Sequence, residues 1–374
     1  MLPPKQSDKE VLQESYFVAS QWQLMWRKFT SHKLAMVGSA ILIFLYLVAI
    51  FAEFLSPYDP QKRYTEFINC PPQRIRLFDR GEGGRFSFRP FVYGWIRGED
   101  PVSWRRIYTP DESKVSRLVL FRKVEPYKLI GVFTLNVRFV GVEEGVFFLL
   151  GTDRLGRDLL TRTIHAARIS MSIGLVGVAL SFVLGSILGG ISGYYGGSTD
   201  MLIQRIIEFI ISIPTLPLWM ALSAALPIDW PGIRIYFGIT IILSLFGWAG
   251  LARTVRGKLI SLREEDFVMA AKICGAGSSS IIARHLIPSF LSYLIVNITL
   301  SIPGMILGET ALSFLGLGIQ PPTVSWGTLM QDAQNVRTLV HTPWLMIPGV
   351  FVIIVVLCFN FVGDGLRDAA DPYK

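Results

Sequence analysis

The chain has 374 residues, 51% of them hydrophobic and only 17% charged; soluble domains carry about 25% charged residues, so a water-soluble globular protein is excluded. Mean hydropathy is +0.45, and the apolar residues fall in long blocks, the pattern of a polytopic membrane protein. The formal net charge of +8 comes largely from Lys and Arg flanking those blocks, so membrane topology explains it and nucleic acid is not an expected partner.

Residues 1–33 read as a polar cytoplasmic tail ending in Trp26, Arg27, Lys28 and Lys33, with no convincing cleavable signal. Aromatic and basic residues just before an apolar run mark the cytoplasmic interface. The first span is expected at residues 34–55, roughly the twenty residues a bilayer requires. Residues 57–150 form a mixed polar extracytoplasmic insertion with Pro71, Pro72, Pro101, Pro110 and many arginines. Long translocated segments escape the positive-inside rule, so these arginines do not contradict an outer location. Leu118–Lys123 and Leu129–Val140 are rich in Val, Phe and Ile, which makes the insertion β-rich. It is either a docking surface for an outer partner or a passive elaboration of a loop.

Residues 151–363 form the helical core. In 151–170, Thr152 or Asp153 can cap a helix whose apolar stripe is Leu160, Ile164 and Ala167, opposite Arg157, Arg162 and Arg168. That predicts an interfacial helix along the outer face. A glycine-rich second span comes next at 169–195, then a short turn at 196–204. The third span, 205–226, carries Glu208 and should kink at Pro214 and Pro217. The fourth is expected at 235–251, the fifth at 290–317 with Asn297, Pro303 and Glu309, and the sixth at 344–362. Residues 364–374 read as a cytoplasmic C-terminal tail. An all-α protein with six transmembrane helices and both termini cytoplasmic satisfies every short-loop charge count.

The loop 252–288 is dense in Lys and Arg and therefore cytoplasmic. Phe267, Ala270, Ala271 and Cys274 recur on one face of a short helix preceded by Glu264, Glu265 and Asp266, acids that suit its dipole. Gly275 and Gly277 break it, and Ser278, Ser279 and Ser280 can cap a second helix with Ile281, Ile282 and Leu286 on its apolar side. Pro288 suits the first turn of the segment after it. Such a small, smooth face either receives a partner or packs on the protein's own bundle.

No catalytic constellation appears. His32, His165, His285 and His341 are far apart, and no metalloprotease or serine-hydrolase motif occurs. Gly250–Lys258 has the wrong glycine spacing for a phosphate loop, and Leu259 stands where Ser or Thr should hold magnesium. Cys70, Cys274 and Cys358 fall in an outer loop, a cytoplasmic loop and a span, so neither a disulfide nor a metal site is expected. No cofactor is expected on this chain. Glu208 and Glu309, with Pro214 and Asn297, are the candidates for a pathway or gate, because acids inside spans face cavities or polar partners. The competing reading is that each acid is paired with a neighbouring helix and sets packing, or that Glu208 simply sits at the membrane interface.

Taken together, several stretches are familiar. The loop DFVMAAKICGAGSSSIIARHLIPS resembles the ATPase-docking motif of ABC importer permeases, with Ala270, Ala271, Gly275 and Pro288 at its defining positions. LGTDRLGRD, GYYGG, GETALSFLGLG and GDGLRDAADP resemble the C-type subunit of dipeptide, oligopeptide and nickel permeases. The chain departs from that pattern at Met269, His285 and Ile287, and the insertion 57–150 is longer than in typical dipeptide permeases. The resemblance implies a type I ABC importer permease fold in the bacterial inner membrane. It implies heterodimerisation with a second permease subunit, two ABC ATPases that hold ATP and magnesium, and an outer solute-binding protein. Glu265, Phe267, Ala270, Ala271, Gly275, Ser278, Arg284 and Pro288 would then form the ATPase-docking surface. Peptides are the implied cargo, with oligosaccharides and opines carried by long-insert members. A self-sufficient ion-coupled transporter using Glu208 and Glu309 is the alternative; the missing inverted repeat argues against it.

Overall fold

The structure, a computed structural model, describes residues 21–80, 86–101, 104, 106–227 and 229–370. The tails expected at 1–33 and 364–374 therefore lie partly outside the described residues. Helix α1, Gln21–Ser31, packs Met25 and Phe29 with Ala35 and Ala369, so the end of the first tail is an amphipathic helix. His32 accepts from the Ala35 amide through Nδ1 at 3.1 Å and starts α2, Lys33–Ile50. A short helix, α3, Ala52–Leu55, continues it.

The insertion holds a four-stranded antiparallel sheet: β1 Arg76–Arg80, β2 Phe86–Glu99, β3 Arg106–Leu129 and β4 Phe133–Val142, in the order β1-β2-β3-β4. Such a meander pairs sequence neighbours and needs only short reversals. The expected strand 129–140 is interrupted, because the chain turns at Ile130 and Gly131, both at positive φ. β1 and β2 are hidden in the sequence by the Arg, Pro and Gly residues that break their alternation. The insertion has its own core of Tyr58, Cys70, Val92, Tyr108, Val142, Phe147 and Phe148. Backbone amides pin it to the next segment: Phe148 donates to Gln73 Oε1 at 2.6 Å and Cys70 to Thr152 Oγ1 at 2.8 Å.

Asp158, rather than Thr152 or Asp153, caps the next helix, accepting from the Thr161 amide at 2.8 Å. Asp153 instead binds Arg157 and Arg162. The capped helix, α4, Leu159–Tyr195, has 37 residues and is about 55 Å long, far beyond the roughly 30 Å hydrocarbon core. The expected interfacial helix is its first turns, since no Gly or Pro stands between Leu159 and Met171 to end it. The expected turn at 196–204 is likewise helical: α5, Gly197–Ser212, starts at once. Pro214 separates α5 from α6, Thr215–Ala224, at an angle of 86°, a break rather than a kink. Pro217 does no such damage, because it lies in the first turn of α6, where amides have no helical partner.

Helices α7, Gly232–Leu262, α8, Asp266–Ile273, α9, Leu291–Phe314, α10, Trp326–Met330, α11, Val336–His341, and α12, Ile347–Ala370, follow, with a further helical segment from Ser278 to Ser289 between α8 and α9. α12 runs on to Ala370, into the stretch expected as a tail; Gly363 and Gly365 let it lie close to Leu300 and Ala35 instead of breaking it. Among the described residues, five helices are long and apolar enough to cross a membrane, or six segments if α5 and α6 cross as one. α4 and α7 pack so tightly that a Cβ on Gly189 would lie 2.5 Å from the Ala252 carbonyl oxygen.

Candidate functional site

Between α7 and α9 the chain projects a pair of short helices. α8 starts with the Glu265 carbonyl accepting from the Val268 amide at 2.9 Å; Glu265 and Asp266 add negative charge at that terminus. Gly275, at φ +81°, ends the helix in a conformation that disfavours other residues. The Ala276 amide donates to the Ala271 carbonyl at 3.0 Å and closes the turn. The second helix begins at Ser278 behind an N-cap at Gly277, so the serines form its first turn and none caps it by side chain. It widens to π geometry over Ile281–Leu286, passes the exposed Pro288 and leads into α9.

The pair has two faces. Val268, Ile281 and Leu286 are buried with Leu259, and Ala271 is half-buried against them. The other face is bare: Phe267 is 42% exposed, Met269 48% and Ile273 86%, with Ala270, Cys274 and Arg284 also exposed. The spacing that groups Ala271 with Phe267 and Ala270 is therefore only partly right, because Ala271 turns toward Val268. Cation–π contacts tie the region to the spans: Lys272 lies 5.7 Å from the Tyr194 ring at the end of α4, and Lys258 4.9 Å from the Tyr293 ring on α9.

A second feature is a cleft of about 300 Å³ among α4, α6, α7 and α9. Val178, Phe182, Phe246 and Met305 supply apolar walls, and Ser181, Thr215, Trp219 and Ser301 supply polar points. The Trp219 indole N–H is buried with no hydrogen-bond partner among the described residues. Gly304 lines the cleft with nothing within 4 Å of where its Cβ would stand, so that side is open. The sequence hides these residues, since small polar side chains inside apolar blocks carry no periodic signal.

The four expected pathway residues part company. Pro214 is the N-cap of α6 and so sets Thr215 and Trp219 on the cleft wall. Asn297 is half-buried one turn from Ser301, its amide donating to the Tyr293 carbonyl at 2.9 Å. Glu208 is on the exposed surface of α5, paired with Arg205 at 2.8 Å, and does not line the cleft. Glu309 is wholly buried. It accepts from Ser313 Oγ at 2.6 Å and from Ser170 Oγ at 3.2 Å. Those serines accept the amides of Ile319 and Trp326, so Glu309 anchors the loop after α9. Burial between helices, not a cavity, is its setting; the two acids form no relay.

Two family models match the chain. The family described as binding-protein-dependent transport system inner membrane component matches residues 181–373. The N-terminal TM domain of oligopeptide transport permease C matches residues 20–72. The oligopeptide transport system permease protein OppC of Haemophilus influenzae is 45% identical over 61% of this chain and 71% of its own length. OppC of Bacillus subtilis is 32% identical over 94% of this chain and 90% of its own. The dipeptide transport system permease protein DppC of the same organism is 31% identical over 94% and 86%. Alignments of that extent run through most of residues 57–150, so insertion length does not separate this chain from dipeptide permeases. The inward-facing MetNI methionine ABC transporter overlays 55% of this chain and 95% of its own at 17% identity, with a TM-score of 0.42. The chain belongs to the family of binding-protein-dependent transport system inner membrane components.

Proposed function

We propose that this chain is the C-type permease subunit of an ATP-driven importer of peptides. It supplies half of the translocation pathway in a heterodimer with a second permease, and crosses the inner membrane six times, α5 and α6 together as one crossing, with both termini cytoplasmic. An outer solute-binding protein delivers the cargo, and two ATPases in the cytoplasm hold ATP and magnesium. The observation that carries this reading is the bare apolar face of α8, Phe267, Met269, Ala270 and Ile273, which the chain's own bundle leaves uncovered. A surface of that kind on a protein with no nucleotide motif suits a groove on a separate motor.

In this reading ATPase closure pushes the helix pair, and the push travels into α7 and α9, to which the pair is covalently continuous. The cleft among α4, α6, α7 and α9, open beside Gly304, closes only when the second permease covers it. Peptide is favoured because relatives named for peptides align across nearly the whole chain.

The test is uptake by the assembled complex in vesicles. Ile273→Arg places a charge where 86% of the side chain is exposed, so the fold should hold while ATP hydrolysis no longer drives peptide uptake. Undiminished uptake by Ile273→Arg together with Ala270→Arg would refute the docking surface.

A further inference from the structure

The β3–β4 hairpin lies alongside the first apolar helix rather than pointing away from it. Leu129 and Leu135 share an apolar groove of about 470 Å³ with Phe44, Leu47, Phe51 and Phe54. From Phe44 to Phe54 the helix axis rises about 15 Å, half of a hydrocarbon core of roughly 30 Å. Phe54, Phe121 and Phe139 close the upper part, with ring centroids 5.8–6.3 Å apart.

The tip of the hairpin is the second observation. Ile130 is 51% exposed, Val132 72% and Phe133 65%. The reversal puts Ile130 at φ +52° and Gly131 at +75°, with the Val132 amide bonded to the Leu129 carbonyl at 3.1 Å. Asn or Asp is favoured at the first of these positions, and a β-branched residue there is costly. Water would reward neither the isoleucine nor the bare Val132 and Phe133. On the shoulder of the tip stand the exposed Lys128 and the Tyr127 ring, with the Arg138 guanidinium 5.1 Å from its centroid. An apolar end followed by tyrosine and cations is the profile of a membrane interface.

We propose that the β3–β4 hairpin is a membrane-dipping element. Its tip, residues 129–133, enters the leaflet at that end of α2, phospholipid acyl chains fill the groove, and Lys128 meets headgroup phosphates. The depth is about 5–10 Å, because the open edges of a two-stranded ribbon cannot go deeper without unpaired amides in hydrocarbon. A soluble partner in the outer compartment cannot reach a groove that runs down to Phe44. The proposal rests on α2 crossing the membrane and not on the cargo.

The experiment uses the full chain in its complex, in phosphatidylcholine–phosphatidylglycerol vesicles. Cys274 is changed to Ser, since Cys70 and Cys358 are buried, and Val132→Cys carries an environment-sensitive fluorophore. The exposed Glu112, on β3, serves as a control in Glu112→Cys. Nitroxide on the lipid chains should lower emission at 132 about twofold while aqueous iodide has no effect, and position 112 should show the reverse. Quenching by iodide at 132 would put the hairpin in water. Protection from both quenchers would put a protein over the tip. Either result overturns the proposal, and neither depends on peptide uptake.

Discussion

Arg256 grips Asp200 at two points, Nε to Oδ1 and Nη2 to Oδ2, each at 2.5 Å. The pair joins α7 to the start of α5, and Ser192 of α4 adds a third hydrogen bond to Oδ1 of the same carboxylate. Three helices thus meet at one carboxylate, less than two turns before α7 ends at Leu262. A fork-on-carboxylate contact fixes direction as well as distance, which makes this joint stiff.

Arg256→Lys should therefore keep the charge and lose the fork. With Asp200 17% and Arg256 32% exposed at the side chain, solvent screening reduces the loss to about 1 kcal/mol. The expected outcome is about a five-fold fall in uptake per ATP hydrolysed, with normal amounts of complex in the membrane. Uptake and ATPase rates measured on the same vesicles check it.

Glu309 should behave as a structural acceptor. Glu309→Leu strands the hydroxyls of Ser170 and Ser313 and should cost roughly 2–3 kcal/mol, read as a lower melting temperature of the purified complex. Glu309→Gln keeps an acceptor and should retain both fold and uptake. Loss of uptake in a fully folded Glu309→Gln complex would instead mean that the carboxylate carries a proton.

Asp158 makes the start of α4 sensitive to pH. Burial pushes its carboxyl up from 3.8 to about 6, against the two hydrogen bonds Thr161 gives to Oδ2. Oδ1 has no hydrogen-bond partner among the described residues. Because the folded-state value is the higher one, the stabilising contribution is complete below about pH 4 and is lost as pH rises through about 6. The span is roughly 3 kcal/mol. Asp158→Asn keeps the cap and removes the titration. The melting temperature of the wild type minus that of the variant should fall between about pH 4 and pH 6; a constant difference would contradict the assignment.

Two glycines should respond oppositely to alanine. At Gly189 a Cβ meets the backbone of Ala252, which cannot yield without parting α4 from α7, a cost of about 1–3 kcal/mol. At Gly304 nothing lies within 4 Å, and alanine should stabilise α9 by about 0.5–1 kcal/mol. Thermal unfolding of the two purified variants separates the effects.

Much of this architecture is decided by residue type alone. Block hydropathy locates the apolar helices, and Gly275 marks where α8 ends, because φ +81° suits glycine; the basic stretch expected as a loop from 252 begins instead as the last turns of α7, which runs to Leu262. Pro214 likewise announces the break between α5 and α6. What residue type cannot decide is which neighbours, distant in sequence, a side chain meets. Glu208 and Glu309 are the same residue in apolar surroundings, yet one is exposed beside Arg205 and the other sealed by Ser170 and Ser313. Val268 is the buried residue of α8 because Ile281 and Leu286 fold back over it, and Ala271, expected on the partner-facing side, turns half toward it. Helix lengths, the 86° angle and the placement of the β3–β4 hairpin beside α2 also belong to the tertiary structure. Periodicity reports the chain's own repeat; burial is set by packing between segments, and only the assembled fold brings those segments together.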